Sequence, residues 1–464
     1  MSPTTLSANE TNLAELQAQG AELIARDRWP REQLLRFQRE RLRELLAFAT
    51  ASSPYYRDAL GPDAARGEIA LDELPTLSKT TLIDQFDRIV TDPRLRLAEL
   101  EEHLQGSDPG SLYLDRYRVF STSGTSGVRA LIVYSEEEFR FWVAASLRLF
   151  ARMGITPATR LVPIGAPNPL HITRELFAAF RSGRAGTPEL SVLTPLDEIV
   201  SALNDYQPEA VVTYASLAAL LAREQLDERL RIAPRFVGVS SEVLTDEARR
   251  WINEAWAVQP TEVYATTETL YLANSTPPHP GLHLDEDLAI LEVVDEHNRP
   301  VPGGEPGYKV LVTNLAKRTQ PLIRYELSDS VTLAEGANPA GLPYRRLAGI
   351  DGRSDDILQF PGPSGDRVCV HPYRLRAPFA NLADVRQYQL VRTPAGLQVR
   401  VVPHPDAAHD TLDRVGAALA ETLAEAGVAP VPVEVVRVET IERESGHAAK
   451  LKLVKDLTRN ARAG

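Results

Sequence analysis

The 464-residue sequence contains one cysteine, two methionines and four tryptophans, and only 6% of it is aromatic. The single thiol, Cys369, excludes an internal disulfide and any cysteine-built metal cluster. Its expected role is that of a small buried apolar residue. No apolar run approaches the ~20 residues that a membrane span needs. The opening "MSPTTLSANETN" has neither a basic nor an apolar stretch, so no secretory signal is visible and a cytoplasmic location is the expectation. Positive charge is short as well. With 51 basic against 63 acidic residues the formal charge is −12, which gives a nucleic-acid partner no electrostatic support. The remainder, 43% hydrophobic and 25% charged, is the composition of a globular protein long enough for two or three domains.

Beyond a polar tail, helical patterning runs to about residue 60. In "RERLRELLAFA", Leu42, Leu45, Leu46 and Ala49 recur at helical spacing and form one apolar face. From 119 to about 330, short β-branched runs ("ALIVY", "RLVPI", "EAVVT", "RFVGV") alternate with helical stretches over 136–153 and 216–224. That alternation predicts an α/β domain with a largely parallel sheet. The segment "LAILEVVDEHNRPVPGGEPGYKVLVTNL" reads as strand, loop, strand, and adds a β-rich section. Gly, Pro and Asp cluster in "IDGRSDDILQFPGPSGD", the expected boundary. Past it come a hairpin around "TPAG", a helix over 411–426 ended by Gly427, the strand "VPVEVVRV" and a basic tail, together a small α+β domain.

One loop, "STSGTSG" at 121–127, consists of Ser, Thr and Gly alone. A linker has this composition. Yet the loop lies inside the alternating region with a strand straight after it, and hydroxyls with glycine-exposed N–H groups form a concavity suited to phosphate oxygens. It lacks the Gly-Lys-Ser/Thr ending of a Walker A loop. Further along, "EVYATTET" joins an aromatic, Tyr264, to hydroxyls and a carboxylate, Glu268. Such a set can stack on a purine and hold phosphate and Mg²⁺. "IRYELSDSV" offers Asp329, a carboxylate able to take both ribose hydroxyls, and "DGRSDDILQFPG" offers Arg353, Asp355 and Asp356. Each stretch alone also reads as a solvated loop; their order along the chain carries the weight.

In that order "STSGTSG", "VYATTE", "PLIRYELSD", "GRSDD" and "SGHAAKLKLVKD" resemble the adenylate-forming superfamily of acyl- and aryl-CoA synthetases, specifically its phenylacetate–CoA ligase-like branch. "LPTLSKTTL" and the helical region before it extend the resemblance over nearly the whole chain. The resemblance implies an α/β fold: a large N-terminal adenylation domain over 1–351, helical over 1–60, and a small mobile α+β C-terminal domain over 352–464, hinged near Asp355. It implies ATP, Mg²⁺ and coenzyme A, and a carboxylic acid, aromatic in this branch, activated as its acyl adenylate. A carrier-protein thiol or a nitrogen nucleophile stands as the alternative acceptor, and a degenerate nucleotide-binding relative as the alternative to turnover. Relatives in this branch are often dimers, so a homodimer is an open expectation.

Position by position, the resemblance implies that Ser121, Thr122, Ser123, Gly124, Thr125, Ser126 and Gly127 wrap the β- and γ-phosphates. Tyr264, Ala265 and Thr266 would lie against the adenine or the acid, Thr267 on the α-phosphate, and Glu268 on Mg²⁺. Asp329 would take the ribose hydroxyls with help from Arg353. Ser241 and Glu242, in "GVSSEVL", would line the adenine. Lys450 would swing in to stabilise the adenylation transition state. His171, Trp142, Tyr214 and Ala215 would border the acid, although a core role suits each of them equally, and His447 is left at the surface. The chemistry fits these residue types, because carboxylate attack on a phosphorus brings two anions together and calls for charge neutralisation and alignment. Two departures stand out. The loop ends Gly-Val-Arg-Ala, leaving Ala130 where the family has a lysine and Arg129 as the nearest cation. Ala265 replaces a glycine and narrows the floor of the acid pocket.

Overall fold

The computed structural model describes residues 8–67, 69–106, 108, 111–122, 130–168, 170–181, 186–382, 384–444 and 449–458. Helices Ala8–Arg26, Arg31–Ser52 and Pro54–Arg66 open the chain. Leu45, Leu46 and Ala49 of the second are buried as the spacing predicts, while Leu42 is only partly buried. Ser53 caps the third helix by accepting the Tyr56 amide at 3.3 Å, just ahead of Pro54 at its first position.

Strands β1 (Tyr117–Ser121) and β2 (Leu131–Ser135) pair antiparallel and hold the Ser/Thr/Gly loop between them. The helix Glu136–Met153 follows β2 directly. Its N-terminus is a capping box, with Ser135 Oγ accepting the Glu138 amide (3.1 Å) and Glu138 accepting the Ser135 amide (2.9 Å). Gly154, at φ 73°, ends it. Then come β3 (Leu161–Gly165), β4 (Leu190–Ser191), β5 (Ala210–Tyr214), β6 (Phe236–Ser240), β7 (Thr261–Thr266), β8 (Leu270–Thr276) and β9 (His279–Leu284). Strands β10 (Ala289–Val294), β11 (Lys309–Asn314) and β12 (Tyr325–Leu327) form a separate antiparallel sheet, and β13 (Asp329–Leu333) and β14 (Arg346–Arg353) return to the main one. The nine-stranded sheet runs β13-β14-β9-β8-β7-β6-β5-β3-β4. It is parallel from β4 to β7 and antiparallel beyond β7, so the expected parallel sheet is one half of a mixed sheet.

The small C-terminal domain has a core of its own, including Leu358, Phe360, Leu390, Val399, Val415 and Leu419. Strands β15 (Leu358–Pro361) and β16 (Arg367–Val370) pair with each other, and β17 (Val385–Thr393), β18 (Gly396–Pro403), β19 (Val433–Arg437) and β20 (Val454–Asp456) form a sheet in the order β19-β18-β17-β20. Helix Thr411–Glu425 buries Val415, Leu419 and Leu423 against it. The last strand lies in the stretch expected to be a basic tail, and pairs parallel with β17. Cys369 is exposed rather than buried, because β16 turns Val370 inward and its neighbour outward. No helix among the described residues is long and apolar enough to cross a membrane.

Candidate active site

The carboxyl ends of β5, β6 and β7 open to the same side, where parallel α/β sheets place their ligand sites. The turn from β7 to β8 carries Thr267 and Glu268. It is fixed locally by Thr266 Oγ1, which accepts the Thr269 amide at 3.1 Å. It is fixed from below by the Tyr134 hydroxyl of β2, which donates to the carbonyls of Thr267 (2.8 Å) and Glu268 (2.9 Å). Glu268 is buried, and its Oε1 accepts from the Tyr325 hydroxyl at 3.3 Å. Asp329 begins β13 directly opposite Arg353, the last residue of β14, and the two side chains approach to 3.7 Å. Arg353 is oriented by Ser328 Oγ at 2.6 Å and 3.0 Å, while Asp329 accepts from the Tyr264 hydroxyl at 2.8 Å. Burial, and then the Asp329 charge, hold the Tyr264 phenol well above its ordinary range.

These groups face one cleft of about 290 Å³, which Thr122, Tyr264, Glu268, Asp329, Arg353 and Lys450 all line. Lys450 arrives from the C-terminal segment, so the cleft joins the two domains. Burial and the nearby Arg353 guanidinium lower its pKa, against the opposing pull of Asp329, Glu242 and Glu268. Ala265, Thr266 and Thr267 line the cleft and also a second, apolar pocket of about 90 Å³ behind it, which His171 borders and Lys450 reaches. Its walls include Phe150, Met153, Phe177 and Tyr271.

Ala215 faces the cleft, but Tyr214 is fully buried, its hydroxyl hydrogen-bonded to Thr173 and Ser241, and Trp142 is part of the main core. Trp142 lies within the helix Glu136–Met153 and Tyr214 ends β5, and packing claims both large side chains before the pocket does. Ser241 and Glu242 line the cleft, yet the Glu242 carboxylate is taken up by the Ser216 amide, Arg443 and the Leu451 amide. Of the phosphate loop, Ser121 and Thr122 are described and buried. Ser123, Gly124, Thr125, Ser126, Gly127 and Arg129 lie outside the described residues, as does His447. Ala130 is 1% exposed and closes the loop on Thr122, its carbonyl accepting from the Thr122 amide and its amide donating to Thr122 Oγ1, each at 3.0 Å, so the position of the family lysine points into the core. Asp355 sits in the turn Ser354–Asp356 between the domains, its side chain outside the described part; the neighbouring Asp356 pairs with Lys452 at 3.3 Å.

Two lysines escaped the sequence reading. Lys79, at the start of helix Lys79–Asp84, lines the cleft; its only signal was its place in "LPTLSKTTL". Lys317 is wholly buried, 3.8 Å from the centre of the Tyr134 ring that underlies the Glu268 turn, and nothing in the sequence marks it. Among the described residues no three His, Cys, Asp or Glu side chains come together as a metal site. Mg²⁺ carried by a nucleotide needs one or two carboxylates and completes its shell with phosphate and water, so Glu268 in the cleft fits such an ion.

No protein-family model matches the chain. It is 26% identical over 382 residues to the phenylacetate–coenzyme A ligase of Thermus thermophilus, covering 78% of this chain and 79% of that one. With the Escherichia coli phenylacetate–coenzyme A ligase it shares 26% over 354 residues, covering 71% and 74%. The chain is a distant homologue of the phenylacetate–CoA ligases. Its fold matches the solved 2-hydroxyisobutyryl-CoA ligase in the postadenylation state with a TM-score of 0.76 at 22% identity, over 94% of this chain and 92% of that one. Against the same enzyme in its thioesterification state the TM-score falls to 0.58. The arrangement of the two domains is therefore nearer to that of the first structure, and Lys450 falls in the cleft between them.

Proposed function

We propose that the protein is an ATP-dependent, AMP-forming ligase that activates a carboxylic acid as its acyl adenylate and passes the acyl group to coenzyme A. One observation carries this reading: Glu268, Asp329, Arg353 and Lys450, drawn from four separate segments, converge on a single cleft beside an apolar pocket. The acid sits with its carboxylate at the junction of the two and its acyl group in the pocket. The aromatic walls suit an aryl acid. At about 90 Å³ the pocket is smaller than the ~150 Å³ cavity known to hold benzene, so a small acyl group fits within it and an aryl ring would extend into the adjoining cleft.

Asp329, held by Tyr264 and Arg353, binds the ribose hydroxyls. Thr267 and Lys450 flank the α-phosphate, and the Lys450 ammonium meets the charge that grows as the carboxylate oxygen bonds to phosphorus and pyrophosphate leaves. Thr122, Lys79 and the loop over 123–129 hold the outgoing pyrophosphate. Glu268 holds Mg²⁺, which when bound neutralises phosphate charge. The turn Ser354–Asp356 is the hinge between the two domains. Because β14 keeps Gly352 and Arg353 in the main sheet, the large domain runs to Arg353, two residues beyond the expected boundary at 351, and the small one follows the turn.

The test is acid-dependent ATP–pyrophosphate exchange over a panel of small aryl and branched aliphatic acids, with thioester formation scored with and without coenzyme A. Wild type should exchange with at least one acid, and Glu268→Ala should abolish exchange while remaining folded. Wild-type exchange in a folded Glu268→Ala protein overturns the assignment.

A further inference from the structure

Lys450 can act on a nucleotide only while its segment is held against the large domain, and the contacts that hold it meet at one carboxylate. Glu242 follows β6 in the large domain. Its Oε1 accepts from an Arg443 terminal nitrogen at 3.0 Å and from the Leu451 amide at 2.6 Å, and its Oε2 accepts from the Ser216 amide at 2.9 Å. The other terminal nitrogen of Arg443 donates to Ser216 Oγ at 2.9 Å, and the first also reaches the Ala449 carbonyl at 3.3 Å. The two ends of the segment are tied to each other as well, since the Glu444 amide donates to the Lys450 carbonyl at 2.9 Å. Both partners of the ion pair are largely buried, with 12% of the Arg443 side chain and 8% of that of Glu242 exposed.

Ala449 completes the attachment. It is buried in a cluster whose other members, such as Ile164, Tyr214 and Leu217, all belong to the large domain. Its φ of 47° bends the chain so that the next residue, Lys450, enters the cleft. Among the described residues other polar contacts between the domains, such as Tyr388 with Glu247, Arg386 with Glu224, His404 with Asp227 and Arg376 with the Asp351 carbonyl, do not involve the segment from Arg443 to Leu451.

We infer that the Glu242–Arg443 ion pair is the latch of the adenylate-forming arrangement, and that Arg443 is a positioning residue for Lys450. This rests on the function proposed above. A desolvated, hydrogen-bonded ion pair that loses one partner leaves an uncompensated buried charge, so removing either half releases the latch. The contacts of Arg443 with Glu242 and Ser216 belong to this one domain setting. A step that needs Lys450 withdrawn has no use for it.

The test uses Arg443→Met, which keeps length and apolar bulk, beside Arg443→Lys, which restores one charged contact. Hydrogen exchange of the intact protein gives a readout independent of turnover. In Arg443→Met the amides of the 449–452 segment should exchange at least tenfold faster, with the β17–β18 hairpin unchanged. Pyrophosphate exchange should fall at least tenfold in kcat, with KM for ATP and acid within about twofold, and Arg443→Lys should recover part of the loss. Thioester formation from pre-made acyl adenylate and coenzyme A should proceed at or above the wild-type rate. Unchanged hydrogen exchange in the segment, or equal loss in both half-reactions, overturns the latch. Wild type that shows no pyrophosphate exchange with any acid would instead overturn the proposed function, while accelerated hydrogen exchange in Arg443→Met would still establish the latch.

Discussion

Replacing Lys317 with methionine should make the protein more stable, by an amount that depends on pH. The ammonium is wholly buried, its hydrogen-bond partner Gln320 Oε1 is 3.4 Å away, and the Tyr134 ring lies 3.8 Å off. Burial pushes it down to about 7, with Glu138 and Glu268 pulling the other way. In the unfolded chain a lysine titrates near ~10.4. Between these two values the unfolded state holds a proton that the folded state has released, so stability rises with pH at ~1.4 kcal/mol per unit. Methionine has no such proton. It fills the same space and replaces the cation–ring contact with a thioether–ring contact. Lys317→Met should therefore exceed wild type by about 4–5 kcal/mol at pH 7, by about 2 kcal/mol at pH 9, and by little above pH 10. Urea unfolding of both proteins at several pH values measures the gap. A gap that stays constant from pH 7 to 10, or a variant less stable than wild type at pH 7, refutes the reasoning.

Lys450→Ala should lose adenylate formation by ~10²–10³, the scale of one transition-state donor, and still form thioester from pre-made adenylate; equal loss of both steps in rapid-quench assays would make Lys450 structural. Ala130→Lys should not repair the missing loop lysine: its side chain would enter the core, and a loss of about 2–4 kcal/mol in chemical denaturation is expected. Unaltered stability with a lower KM for ATP would show that the position reaches the phosphates after all. Tyr264→Phe removes a 2.8 Å hydrogen bond to the Asp329 carboxylate, so kcat/KM for ATP should drop by about 1.5–3 kcal/mol, the value of a bond to a charged group. Unchanged ATP kinetics would mean that Arg353 alone orients the acid.

Local sequence determined the elements whose register is set by their own residues. The helix Glu136–Met153 was legible in full because its capping box, its apolar face and its terminal glycine all lie within or beside it. The parallel strands β3, β5 and β6 were legible as β-branched runs flanked by helices. The motif residues Tyr264, Glu268, Asp329, Arg353 and Lys450 were legible as a series of residue types, but nothing local says that they meet. Tertiary structure decided that. The cross-strand pairing of β13 with β14 sets Asp329 opposite Arg353 across an interval of 24 residues. The small strand β20 lay hidden in a run of lysines, since three residues of a parallel edge strand leave no periodicity to read. Its pairing with β17 turns a basic tail into the fixed base of the Lys450 segment. The same limit explains Cys369, Trp142 and Lys317, because periodicity reports which face of an element is apolar and not what packs against it. Burial of a charge, its pKa and the partner that holds it depend on distances between segments far apart in the chain, and only folding creates those distances.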